Sequence, residues 1–353
     1  MTVNERPEVL HVTNGDAVGA QIERAGIGVH ILPWRDLLSE GPVPARLSLI
    51  NLADRRARFI DAAGWATYRE ARRAMATRDS ELLRFKDYDE VVFWFEHDLT
   101  DQLQLLQAFD RFAARGGEGK RLTLVTTDRY PGVEPFHGLS QLDPDQLAEL
   151  HERRRALTLD DFRLAQRGWD AFRSPDPAAI EAFLGEDTRR LPYLAPALRR
   201  HLEQFPAVGD GLSRTERATL QVLAERPRTL GDLFRATQDM EPAPFLSDRA
   251  YALHLRRLTE ATRPLVRIAD GGSLAASSYQ DDDQGAALEI TDRGRAVMEG
   301  RDDWADEGYP ERWLGGVHLE PGQVLWRWDR TSSRLAPQEA VPGATDADGA
   351  TSG

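Results

Sequence analysis

The stretch Glu90–Glu96 (EVVFWFE) constrains this chain most. Its apolar run between two glutamates has no polar face, so it reads as a strand covered on both sides, as in the centre of a parallel sheet. The surrounding pattern agrees. Residues 8–13 (EVLHVT) form a short β-prone run that stops at Asn14-Gly15-Asp16, and a helix-like segment follows over Ala17–Arg24. Gly28–Pro33 (GVHILP) is the next apolar run, and Trp34–Pro44 reads as a loop because of Gly41-Pro42 and Pro44. Arginine-rich amphipathic helices fill 50–84. Thr100–Arg115 reads as a helix stopped by Gly116-Gly117, and Leu122–Thr127 (LTLVTT) as a fourth strand ending at Asp128. Strands alternating with helices over 8–128 predict a Rossmann-like α/β domain with a mostly parallel sheet, assigned to residues 1–135.

The remainder changes character twice. Residues 136–210 read as a helical segment, with Asp143-Pro144 as an N-cap followed by proline at the first helical position. From Gly211, Ser213 and Glu216 have capping-box spacing. Helices over 214–225, Thr229–Ala236 and Ser247–Thr259 precede two short strands, Leu265–Ile268 and Ala287–Ile290, around a Gly/Ser/Asp-rich tip. That order predicts a winged-helix-like α+β domain. With a helix from Thr291 and a strand pair within 313–328 it fills 211–330, and 331–353 is expected to be a disordered tail. Trp304, Trp313, Trp326 and Trp328 are expected to pack this end onto the body.

Composition closes off several functions. There is no cysteine among the 353 residues, which removes disulfides, thiolate nucleophiles and thiolate metal sites. No apolar run approaches the roughly 20 residues of a membrane span, and the start lacks a signal-peptide pattern, so a cytoplasmic protein with no membrane partner is expected. The net charge is −13, which disfavours broad nucleic-acid binding. Arg249, His254, Arg256 and Arg257 lie on the expected recognition helix. Yet residues 211–300 hold 12 arginines against 14 acidic residues, so DNA is not the favoured partner. No G-x-G-x-x-G, Walker A or G-x-S-x-G pattern occurs.

Ligands of open parallel sheets bind outside the carboxyl ends of the strands. Asn14, Gly15 and Asp16 stand there after the first strand, Trp34 and Asp36 after the second, and Glu96, His97 and Asp98 after the third, with Asp101 and Gln102 a turn later. Carboxylates beside an imidazole suit a divalent metal or general acid–base work. Asp16, Glu96 and Asp98 are the candidate metal ligands and His97 and Asp98 the candidate catalytic pair. Asn14, Gly15, Asp16, Trp34, Asp36, Asp101 and Gln102 are the candidate ligand contacts. Each also has a structural reading: Asp16 and Asp98 as helix caps, Gly15 and Asp128 as turn residues, and Asp101 favouring the positive end of a helix. Three consecutive polar residues after a buried strand exceed what a cap requires.

The phrases LHVTNGDAVG, ILPWRDLLSEGPVP and VVFWFEHDLTDQLQLLQ resemble the bacterial family catalogued as domain of unknown function 1835, and LPYLAPALRRHLEQFP, GLSRTE and RWLGGVHL resemble its longer members. The resemblance covers roughly residues 8–320. Its motif positions are Asn14, Gly15, Asp16, Trp34, Asp36, Glu40, Gly41, Pro42, Trp94, Glu96, His97, Asp98, Asp101 and Gln102. It implies an unassigned function and carries no chemistry over. Two expectations follow from the residues. One is an enzyme or binder acting on a phosphorylated or nucleotide-like small molecule at the sheet edge. The other is a ligand-sensing regulator whose winged helix binds DNA or a protein.

Overall fold

The computed structural model describes residues 8–114, 120–271, 286–305, 309–320 and 325–338. The helix stop at Gly116-Gly117, the hairpin tip, and the tail beyond 338 lie outside them. Strands β1 (Val9–Thr13) and β2 (His30–Pro33) flank helix α1 (Asp16–Arg24), and β3 (Gly41–Pro42) lies in the following loop. Helices α2 (Leu49–Ala62) and α3 (Tyr68–Leu83) lead to β4 (Glu90–Trp94), α4 (Leu99–Ala113) and β5 (Arg121–Val125). Then come α5 (Pro144–Glu152), β6 (Arg155–Ala156), α6 (Leu159–Phe172), α7 (Ala178–Leu184) and α8 (Leu194–Leu202).

The main sheet has the order β2-β1-β4-β5-β6. β2, β1, β4 and β5 pair in parallel and β6 runs antiparallel at the edge. The segment expected to be wholly helical thus supplies the fifth strand; two residues are too few to leave a periodic trace. The chain leaves β1 toward β2 and returns through β4 on the other side, so the strand order reverses between β1 and β4. That switch opens a crevice at their carboxyl ends. Strand alternation divides the core: Val92 and Trp94 face Val18, Ile22 and Leu147, while Val91, Phe93 and Phe95 join Leu103, Leu106 and Phe109. Helix α4 is buried almost all round because the sheet lies on one side and α6 and α8 pack on the other.

The rest of the chain holds α9 (Arg214–Glu225), α10 (Leu230–Gln238), α11 (Asp248–Glu260), the antiparallel pair β7 (Val266–Ile268) and β8 (Leu288–Ile290), and α12 (Asp292–Met298). The capping box forms as the spacing predicts: Glu216 N donates to Ser213 Oγ, and Ser213 N to Glu216 Oε2. β9 (Arg312–Gly315) and β10 (Val317–Leu319) pair antiparallel, and β3 adds to β9 in parallel. The loop expected over 34–44 therefore contains a strand. Gly41 makes the approach: its φ is +76° and a Cβ there would meet the Phe59 ring at 2.4 Å. β11 (Leu325–Asp329) pairs with β12 (Arg334–Gln338), so the expected tail begins too early. Trp304 and Trp328 are buried, whereas Trp313 lies half-exposed, stacked on His318. Among the described residues no helix is long and apolar enough to cross a membrane.

Candidate functional site

Two turns bring the crevice residues together. After β1, Thr13 Oγ1 donates to Gly15 O at 2.8 Å and bends the chain into α1. Asn14 Nδ2 then reaches Asp101 Oδ1 at 3.1 Å and Glu96 Oε1 at 3.4 Å. After β4, Asp98 caps α4, its Oδ1 accepting from Asp101 N at 3.1 Å. Asp101 in turn accepts from Glu96 N at 2.5 Å, and Gln102 Nε2 donates to Glu96 O at 2.6 Å. The first turn of α4 is thus folded back onto the strand end that precedes it.

The outcome is a group of three carboxylates, Glu96, Asp98 and Asp101, each offering an oxygen within 4.8 Å of the others. They are only 5%, 7% and 3% exposed. Each pair of full charges at such a separation repels by roughly 3 kcal/mol at an effective dielectric near 20. Burial, and after it the charge of Asp98, pushes Glu96 up to about 8. Burial pushes Asp98 up to about 6, against backbone amides that hold it down. Asp101 is raised well above the ordinary range by burial and then by its two neighbours. The groups that stabilise the ionised forms of Glu96 and Asp98 are hydrogen-bond donors rather than cations. A single cap needs one carboxylate; three need protons or a bound cation.

Gly138 and Leu139 complete the pocket around Glu96. Leu139 N donates to Glu96 Oε1 at 2.8 Å, and a Cβ on Gly138 would lie 2.0 Å from Glu96 Oε2. Sequence reading missed both. They open a short 3-10 turn, Gly138 as its cap and Leu139 as its first residue, far along the chain, where no periodicity points to them. His97 is half-buried, its ring 6.1 Å from those of Phe136 and Tyr193. Its Nδ1 finds no hydrogen-bond partner among the described residues. Burial lowers its pKa, and Asp128 and the Thr127 backbone pull the other way.

Other expected residues stand elsewhere. Asp16 does not join the carboxylate group, and Asp101 takes the place expected for it. Helix α1 begins at Asp16, and its exposed carboxylate is clamped by Arg35, with Arg35 Nε at 2.7 Å from Oδ2. Gly15 is the N-cap of α1 in extended conformation. Trp34 is buried, its Nε1 donating to Gln107 Oε1 at 2.7 Å with Arg78 over its ring. Asp36 is buried against Arg56 at 2.7 Å and lines a cavity of about 330 Å³ with Arg35, Trp65 and Arg249.

The helix in the recognition position of the expected winged-helix order has its basic side chains engaged. On α11, His254 Nε2 lies 2.7 Å from Glu40 Oε1 and Arg257 Nη2 3.2 Å from Glu40 Oε2. Arg249 and Arg256 donate to the carbonyls of Trp65 and Ala63. All four side chains of α11 thus bond to residues within 40–65.

No family model matches this chain, and no curated protein does.

Proposed function

We propose that the β1/β4 crevice binds a divalent cation through Glu96, Asp98 and Asp101 and acts on a phosphorylated or nucleotide-like small molecule. The observation that carries this reading is the burial of three carboxylates within 4.8 Å of one another. Carboxylate oxygens are hard ligands that suit Mg²⁺, Mn²⁺ or Ca²⁺. Bound there, such an ion would polarise a phosphoryl oxygen and favour hydrolysis. Asn14 and Leu139 orient the carboxylates, and Gln102 holds the Glu96 backbone. His97, kept toward its neutral form by burial, takes up a proton at Nδ1, the ring atom that finds no partner among the described residues. Titration calorimetry of Mn²⁺ into the metal-stripped protein tests the reading. Near-stoichiometric binding, lost in Glu96→Gln and Asp101→Asn and kept in Asp16→Ala, is expected. No binding at millimolar Mn²⁺ would overturn it.

The order α9-α10-α11-β7-β8 supports a winged-helix-like reading of that part of the chain. With His254, Arg249, Arg256 and Arg257 bonded to residues within 40–65, we assign it to packing and protein contact rather than to DNA.

A further inference from the structure

A second concave feature opens at the carboxyl end of β5. This cleft of about 580 Å³ is walled by Arg153, Arg155, Arg189 and Arg190, together with Thr127 and Tyr193, and no carboxylate lines it. The arginines converge from three places: the end of α5, the edge strand β6, and the connection between α7 and α8. Their ion-pair partners Glu149, Asp161, Asp187 and Asp160 lie outside the lining. The pairs of Arg153 and Arg189 are exposed on both sides and contribute little, so these two guanidinia exchange them for a bidentate phosphate contact at small cost, while Arg155 and Arg190 stay anchored on the buried Asp161. The cleft lies at the end of the strand next to the one that carries the crevice carboxylates. β4 and β5 are paired neighbours, with Trp94 opposite Val125 and Phe95 N donating to Val125 O. Glu96–Asp98 and Thr126–Thr127 therefore leave adjacent strands, roughly 5 Å apart. Tyr193, from the cleft, packs against His97.

We infer that this cleft binds the di- or triphosphate chain of the substrate, while the carboxylates hold the metal beside the phosphoryl group that reacts. This rests on the reading of Glu96, Asp98 and Asp101 given above, and names the substrate class as polyphosphate-bearing. Arginines from the cleft would fix the chain in place, and the cation would neutralise what they leave.

Binding of inorganic pyrophosphate to the full chain, in chelator and at near-physiological salt, tests the cleft without the metal. Arg153→Ala and Arg189→Ala remove exposed cleft arginines and should leave the melting temperature unchanged. Together they should weaken pyrophosphate binding by about tenfold or more. Arg58→Ala, an exposed arginine on α2, should leave it unchanged. Absence of pyrophosphate binding in the wild type, or equal binding in the double variant, overturns the inference. So does a loss in Arg58→Ala as large as in the cleft variants, which would mark general attraction to arginine. Failure of the carboxylate reading shows itself separately, as absent Mn²⁺ binding with pyrophosphate binding intact.

Discussion

His254 and Glu40 meet at 2.7 Å inside the protein, joining α11 to the loop after β2 although 214 residues separate them. Both side chains are buried. Burial alone would push Glu40 up, but His254 and Arg257, with Arg312 beyond them, hold it well below the ordinary carboxylate range. Glu40→Ala leaves Arg257 buried without its counter-charge and should cost about 3–5 kcal/mol. Urea unfolding of the variant measures it, and a loss under about 1 kcal/mol would mean that the pair contributes little.

The same contact bears on nucleic acid. Mobility shifts with random duplex at low salt should show no complex, because the arginines of α11 are engaged by Ala63, Trp65 and Glu40. A complex abolished by Arg249→Ala with Arg256→Ala would mean that these side chains exchange their carbonyl partners for phosphate, and would reinstate the regulator reading.

Glu96→Gln should act in opposite directions with and without metal. In metal-free protein it removes one of three crowded charges and should raise stability at pH 8 by about 1–3 kcal/mol. It should lower Mn²⁺ affinity by about tenfold or more, since a hard anionic ligand is lost. Paired melting curves with and without Mn²⁺ decide this. A variant less stable in both conditions would make Glu96 a structural residue only.

Stability of the metal-free protein should carry two opposed pH slopes. Glu96, at about 8 in the fold against 4.5 ordinarily, keeps a proton that the unfolded chain releases. Its contribution is complete below pH 4.5 and is lost as pH rises toward 8. His11 does the reverse. Trp94 Nε1 donates to its Nδ1 at 3.0 Å, and burial, then His151, lowers the ring to about 4 from 6.5. That contribution is complete above pH 6.5 and fades as pH falls toward 4. Urea midpoints from pH 4 to 8 should show both limbs, and Glu96→Gln should reduce the alkaline one, to which the raised Asp98 and Asp101 also contribute, and leave the acid one. An unchanged alkaline limb would move its origin away from Glu96.

Two glycines should respond differently to alanine. At Gly138 a Cβ would lie 2.0 Å from Glu96 Oε2, so Gly138→Ala should displace that carboxylate, cost about 1–3 kcal/mol and weaken Mn²⁺ binding. At Gly15 a Cβ meets nothing within 4 Å and the backbone is extended, so Gly15→Ala should be nearly neutral. Equal effects at the two positions would mean that the pocket around Glu96 is loosely held.

The parallel sheet was legible because β4 is apolar on both faces, and Glu96-His97-Asp98 was legible because polar residues crowd its end. What stayed hidden depends on partners or on single-residue phasing. α1 begins at Asp16, which turns that carboxylate to Arg35, while Asp101, a turn into α4, faces Glu96. Gly138 and Leu139 reach the site through a loop with no repeating pattern. The two-residue strands β3 and β6 are too short to register as periodicity. The basic residues of α11 resemble a DNA-reading face until Glu40 is seen opposite them.

The pairing of Gly41–Pro42 with Leu314–Gly315 also sets an order on biosynthesis. β3 has β9 as its neighbour and no other strand among the described residues, and β9 is translated only after α12. While the ribosome is still making α9 to α12, the loop carrying Trp34, Asp36 and Glu40 lacks its strand partner. A chain truncated before Arg312 would hold this loop without the strand that pairs with it.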